Sequence, residues 1–252
     1  PLASGSSDGS GDWSIAVNGT TNGTRTFYAK TIDGADFSDC STGFGYTHDA
    51  INPSAPTLDS TTPVSPSDNS QPIVTGTAEV DSTVKIYGQA GCAGSVLASG
   101  TADGNGDFNL QVTVSLNIIT QLSAQATDAA TNTGTCSSTL NYTHDNTSPL
   151  APQPKGTNPC GASSDTTPEV YGTAEAGSTL KVFTNATCSG GPLNTAEVDG
   201  AGDWSAEMTV TQNSTTTWYM SSADGVGNVS PCSAGISYIN RTCDQAPPGY
   251  EK

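Results

Sequence analysis

The chain has 252 residues, with 24 acidic and 7 basic side chains and a formal net charge of -17. So acidic a chain argues against binding to nucleic acid and to an anionic membrane, both of which call for a basic face. Apolar residues come in short runs between Gly, Asn, Asp, Ser and Thr, and none approaches the ~20 apolar residues of a membrane helix, so the pattern predicts an all-β protein.

The first predicted element is a turn and strand, "SDGSGDWSIAV" from Ser7, followed by the loop "TIDGAD" from Thr31 and the phrase "GYTHDAINPSAP" from Gly45. All three return. "ADGNGDFNLQVTV" from Ala102 and "VDGAGDWSAEMTV" from Val198 repeat the turn and strand, and "NYTHDNTSPLAP" from Asn141 repeats the phrase 96 residues on. "PIVTGTAEVDSTVKIY" from Pro72 matches "PEVYGTAEAGSTLKVF" from Pro168 at the same shift of 96. The chain therefore holds two full repeats, residues 54–145 and 150–243, with a tail over 244–252. Residues 1–49 are the second half only of a third repeat. Its first half is expected either upstream or from another chain.

In the middle repeat the alternation places seven strands near 56–58, 72–78, 83–87, 95–99, 108–114, 121–127 and 137–142. Repeat length, strand number and alternation suit an immunoglobulin-like sandwich of two antiparallel sheets. Val84, Ile86, Leu110, Val112, Val114, Leu122, Ala124, Ala126, Leu140 and Tyr142 are the expected core, and Phe108 and Trp204 share one core position.

"GTAEVDSTVKIY", "DGNGDFNLQV", "ATDAATNTGTCS" and "YTHDNTSP" resemble the bacterial Ig-like repeats of large surface adhesins and other extracellular proteins. The resemblance implies spacer domains in stalks and adhesins, some of which hold calcium at domain junctions.

Cys92 and Cys136 are 44 residues apart, as are Cys188 and Cys232, and the shared spacing pairs each couple in a disulfide. Such cysteine use fits an oxidising, extracellular or cell-surface location. Cys40 occupies the Cys136 position, so its partner is expected outside this chain segment or on another subunit. Cys160 and Cys243 belong to the last repeat alone and are paired as an extra staple. Zinc is the competing reading of these cysteines, but no C-x-x-C pair exists. Eight N-glycosylation acceptors stand at Asn18, Asn22, Asn141, Asn146, Asn185, Asn213, Asn228 and Asn240.

The connecting phrase places Asp49 and Asp145 at the seams between repeats, followed by prolines that stiffen the linker. Two calcium sites are expected there, one from Asp49 with Asp33 or Asp36 and one from Asp145 with Asp128 and Asn132. The alternative is an Asp capping its own turn. His48 and His144 read as solvated linker residues. In the third copy Asn240 and Arg241 replace His and Asp, which removes the anionic seam where no like repeat follows.

The "DGNGD" motifs read as tight turns, because the Gly and Glu that an EF-hand requires later in its loop are missing. "GSSDG" from Gly5 matches a serine-nucleophile pattern only literally, without the strand–turn–helix context. The expected function is a stiff extracellular stalk or fibre and not an enzyme. Its partners are further Ig-like repeats or neighbouring subunits. Two variants are a filament subunit completed by strand exchange, and a module that binds a cell-surface glycan or protein receptor through Trp218 or Tyr219.

Overall fold

The computed structural model describes residues 1–19 and 21–241; Cys243 and the 244–252 tail lie outside this range. The half-repeat contains β1 (Gly23–Phe27), β2 (Ile32–Asp33), β3 (Asp36–Phe37) and β4 (Phe44–His48). β1 pairs antiparallel with β4, Gly23 opposite His48, and β2 with β3 makes a hairpin.

The middle repeat runs through β5 (Thr57–Thr62), β6 (Ile73–Thr77), β7 (Thr83–Tyr87), β8 (Val96–Thr101), β9 (Asp107–Gln111), β10 (Ile119–Thr127) and β11 (Leu140–Thr143), with one 3₁₀ turn at Ala90–Cys92. Its sheets have the orders β5-β6-β9 and β11-β10-β7-β8. The alternation explains both faces. In β7, Val84 and Ile86 are buried while Thr83 and Lys85 point to solvent. The turn before β9 forms because the Asp103 Oδ1 accepts the N–H groups of Asn105 and Asp107 at 2.8 and 3.0 Å and Gly106 takes φ 87°. Asp8 and Asp199 build the same turn in the other copies.

The last repeat adds β12 (Gln153–Asn158), β13 (Ala162–Ser163), β14 (Glu169–Thr173), β15 (Thr179–Phe183), β16 (Asn194–Glu197), β17 (Asp203–Glu207), β18 (Thr215–Ala223) and β19 (Ile236–Asn240). Its sheets are β12-β14-β17 and β13-β19-β18-β15-β16. β13 lies parallel to β19. In the middle repeat the same place has a single parallel bridge between Ser67 and His144.

Most of the expected core is buried: Val84, Ile86, Phe108, Val112, Val114, Leu122, Ala124, Ala126, Tyr142 and Trp204. Leu110 and Leu140 are only partly covered. Both stand on edge strands, and Leu110 on β9 packs toward Gly100 of β8 where the two sheets end. Val74, Ala102 and Val170 are buried as well and were not expected. By contacts the chain divides into two compact units. One comprises Pro1–Thr62, Ile73–Val112 and Gln121–Leu140; the other comprises Pro63–Pro72, Thr113–Thr120 and the residues from Asn141 onward. Among the described residues no helix is long and apolar enough to cross a membrane.

Candidate functional site

In the two full repeats the tyrosine of the closing phrase, Tyr142 and Tyr238, closes the repeat by a hydrogen bond. The buried Tyr142 hydroxyl donates to the Asn69 carbonyl at 2.7 Å, which ties the last strand to the loop after the first. Tyr238 makes the equivalent bond to the Asp165 carbonyl at 2.9 Å. His144 is not a solvated linker residue. It is 1% exposed, and its Nδ1 accepts the Asn117 N–H at 3.0 Å. In the last repeat Asn240 stands in this place. Its Oδ1 accepts the Asn213 N–H at 3.0 Å, and its Nδ2 donates to the Asp165 carbonyl at 2.7 Å. The change from His to Asn therefore conserves a buried acceptor aimed at the same turn, because imidazole Nδ1 and amide Oδ1 can both serve.

The two seam aspartates cap turns. Asp49 Oδ1 accepts the Ile51 N–H at 2.9 Å, and Asp145 Oδ1 accepts the Thr147 N–H at 3.0 Å. Their backbone carbonyls receive a second, repeated contact. Asn132 Nδ2 donates to the Asp49 carbonyl at 3.3 Å, and Asn228 Nδ2 to the Asp145 carbonyl at 3.2 Å. Each asparagine is held by an aspartate four residues earlier, Asp128 or Asp224, through Nδ2 and its own backbone N–H. Each repeat thus clasps the linker that enters it.

This geometry regroups the expected calcium ligands. Asp145 is joined to Asn228 and not to Asp128 and Asn132; those two meet the Asp49 carbonyl instead. The reason is strand direction: β10 carries its following loop toward the start of its own repeat. Asp33 and Asp36 face each other across the β2–β3 hairpin. Among the described residues no three His, Cys, Asp or Glu side chains converge as a metal set. The Asn132 amide presents its N–H donors to Asp128 and to the Asp49 carbonyl.

The asparagine amides also set the charge of the clasp. The Asn132 side chain, helped by backbone N–H groups, outweighs desolvation and holds the Asp128 carboxyl below its ordinary range. At Asp224 desolvation opposes the charged form, yet the Asn228 amide and the N–H groups of Asn228, Val226 and Gly227 prevail, and the shift is again downward.

Disulfides join Cys92 to Cys136 and Cys188 to Cys232. The Cys160–Cys243 pairing falls outside the described residues. Cys40 is exposed and has no partner among them. Asn18, Asn22, Asn141, Asn146, Asn185 and Asn213 are exposed, whereas Asn240 is buried with its Nδ2 engaged and is no glycan acceptor in the folded repeat. Asn228 likewise commits its Nδ2 to Asp224 and Asp145. Trp218 is fully buried and stacks on Tyr238 with ring centroids 6.4 Å apart, so only Tyr219 remains of the expected aromatic platform.

The half-repeat exposes side chains at positions that the intact repeats bury. Trp13 is 56% exposed, while Phe108 and Trp204 at the same position are 3% and 4% exposed. Tyr46 is 46% exposed against 0% for Tyr142 and 1% for Tyr238. Val17, Phe37 and Phe44 are exposed too.

The profile of the bacterial Ig domain family matches residues 53–142. No curated protein matches the chain. Among solved structures, a biofilm-associated protein BSP domain aligns over 77% of this chain and 30% of its own length, with 18% identity and a TM-score of 0.27. The fibronectin(III)-like modules of Clostridium thermocellum CbhA align over 78% of this chain and 100% of theirs, with 12% identity and a TM-score of 0.43. The chain thus spans under a third of the biofilm-associated structure.

Proposed function

Starting from residues 53–142 as a bacterial Ig domain, we propose that the chain is part of an extracellular structural or adhesive protein, a run of Ig-like repeats that bears load. The observation that carries this reading is the clasp written twice: Asn132 on the Asp49 carbonyl and Asn228 on the Asp145 carbonyl, each on a linker rich in proline. A contact that fixes the entering linker, repeated at the repeat period, serves spacing. The role is mechanical and needs no catalysis. The disulfides support it, because each locks the 44-residue separation between its cysteines against extension.

Pulling the native chain between its ends tests this. Each intact repeat should yield as a discrete event, short of its full contour by the locked span. Reduction should add about 150 Å per repeat, at roughly 3.5 Å for each of 44 residues. Smooth extension without discrete events, with or without reductant, would refute the load-bearing reading.

A further inference from the structure

We infer that each seam is held through one peptide group, gripped at its N–H by an asparagine of the repeat before it and at its carbonyl by an asparagine of the repeat after it, and that Asn22 and Asn117 are the positioning residues on the near side. The inference deepens the load-bearing reading and rests on it.

The far grip is the clasp of Asn132 on the Asp49 carbonyl and of Asn228 on the Asp145 carbonyl. The near grip falls on the other end of the same peptide. The Asn22 Oδ1 accepts the Ala50 N–H at 2.9 Å, and the Asn117 Oδ1 accepts the Asn146 N–H at 2.8 Å. The Asp145 carbonyl and the Asn146 N–H belong to a single planar unit with almost no internal twist, as do those of Asp49 and Ala50. Neither grip is local. The N–H is held from 28 or 29 residues upstream, and the carbonyl from 83 residues downstream. The turn cap that each aspartate carboxylate makes reaches only the second residue on, so capping does not account for the asparagines.

A peptide plane held at one end can still flip by opposite changes in the torsions on either side. Held at both ends, it turns only if a hydrogen bond breaks. The two bonds also support each other, because a carbonyl that accepts a hydrogen bond makes the N–H of its own peptide a better donor. From Asp224 through Asn228 and the Asp145–Asn146 peptide to Asn117 the bonds measure 2.8, 3.2 and 2.8 Å.

Each arm is fixed before it reaches the linker. The Asn117 N–H donates to the buried His144 Nδ1 at 3.0 Å, and its φ of 55° is one that asparagine tolerates. Asn228 is held by Asp224 through its amide and its own N–H. The division of the chain by contacts agrees, because it runs through the middle repeat and through neither linker. Asn117 falls with Asp145, Asn146 and Asn228, and Asn22 falls with Asp49, Ala50 and Asn132.

The test reads amide hydrogen exchange on the full chain. Asn117→Gly removes the acceptor and leaves a residue at ease at that φ. Exchange at the Asn146 N–H should quicken about fivefold to tenfold, the equivalent of one ordinary hydrogen bond. Asn117→Asp, which keeps an oxygen in place, should restore most of the protection. The decisive variant is Asn228→Ala. It touches only the carbonyl, yet exchange at the Asn146 N–H should again quicken, by about twofold to fivefold, since the freed plane can turn. In all three variants the Ala50 N–H of the other seam and the Val84 and Ile86 amides of the core should exchange as in the parent. Unchanged exchange at Asn146 in Asn117→Gly would overturn the near grip. Quickening in Asn117→Gly but not in Asn228→Ala would overturn the shared peptide and leave two unrelated contacts. These readouts apply no force, so their failure is separable from failure of the load-bearing reading.

Discussion

Gly172→Ala isolates the packing rule that the repeat shares. Gly172 lies on β14 opposite Trp204 of β17. A Cβ there would run into the Gln153 carbonyl and stand 2.7 Å from Trp204 Cζ2 and 2.9 Å from Pro154 Cα. Two of the three neighbours are backbone, and Trp204 is 4% exposed, so none can yield cheaply. Overpacking of this kind costs about 1–3 kcal/mol, with the upper part expected where backbone must shift. The alanine recovers about 0.4–1 kcal/mol through the unfolded chain. A net loss of about 2 kcal/mol follows. At a urea slope of about 1 kcal/mol/M for a domain this small, the midpoint falls by about 2 M. Trp204 and Trp218 are both buried in this repeat and report its unfolding directly in urea-dependent emission. Gly200→Ala is the control, since a Cβ there meets nothing within 4 Å. A Gly172→Ala midpoint equal to or above the parent's would refute the claim that the strand approaches the ring too closely for a side chain.

Three further outcomes are expected. Tyr142→Phe and Tyr238→Phe each leave a loop carbonyl without its donor and should lower the stability of their own repeat by about 1–1.5 kcal/mol, measured by denaturant titration with hydrogen exchange to assign the repeat. Reducing Cys188–Cys232 should cost the last repeat about 4 kcal/mol by loop entropy over its 44-residue separation, read as a lower Trp unfolding midpoint with reductant present. Because Asp224 is lowered in the fold, its contribution is complete above the unfolded aspartate value near pH 4 and disappears as pH falls through the lower folded value. Stability of the last repeat should therefore decline below about pH 4, and the Asp224→Asn variant should decline less; equal acid profiles would remove Asp224 from the clasp.

The architecture was legible because side-chain period and repeat period agree. The strand alternation, the shared Asp turn and the cysteine spacing each recur at 95 or 96 residues, so one copy checks another. The site was legible only in part. Asp49 and Asp145 drew attention as carboxylates, yet their backbone carbonyls are what the neighbouring loop grips. Composition cannot display a carbonyl's partner; that depends on β10 running its loop back to the start of its own repeat. Val74 is buried two residues before a glycine that lets the strand lie against Phe108, a close approach no apolar count displays.

His144 and Asn240 show the same limit from the other side. Read as letters, the third copy loses a histidine and an aspartate, and the loss looks like the end of a function. Read as atoms, the buried acceptor is kept. Nδ1 of one and Oδ1 of the other take the N–H of Asn117 and Asn213, residues that both sit at positive φ, 55° and 54°. Removing the acceptor would leave that N–H beside a buried side chain without its partner, at a cost of about 1–3 kcal/mol. The position therefore selects for an acceptor of the right reach and not for a particular side chain. What the third copy gives up is the carboxylate that caps the linker turn at Asp145, where Arg241 stands. The two changes in the altered phrase thus differ in effect: Asn240 keeps the buried acceptor that closes the repeat, and Arg241 replaces the carboxylate that caps the turn after Asp145.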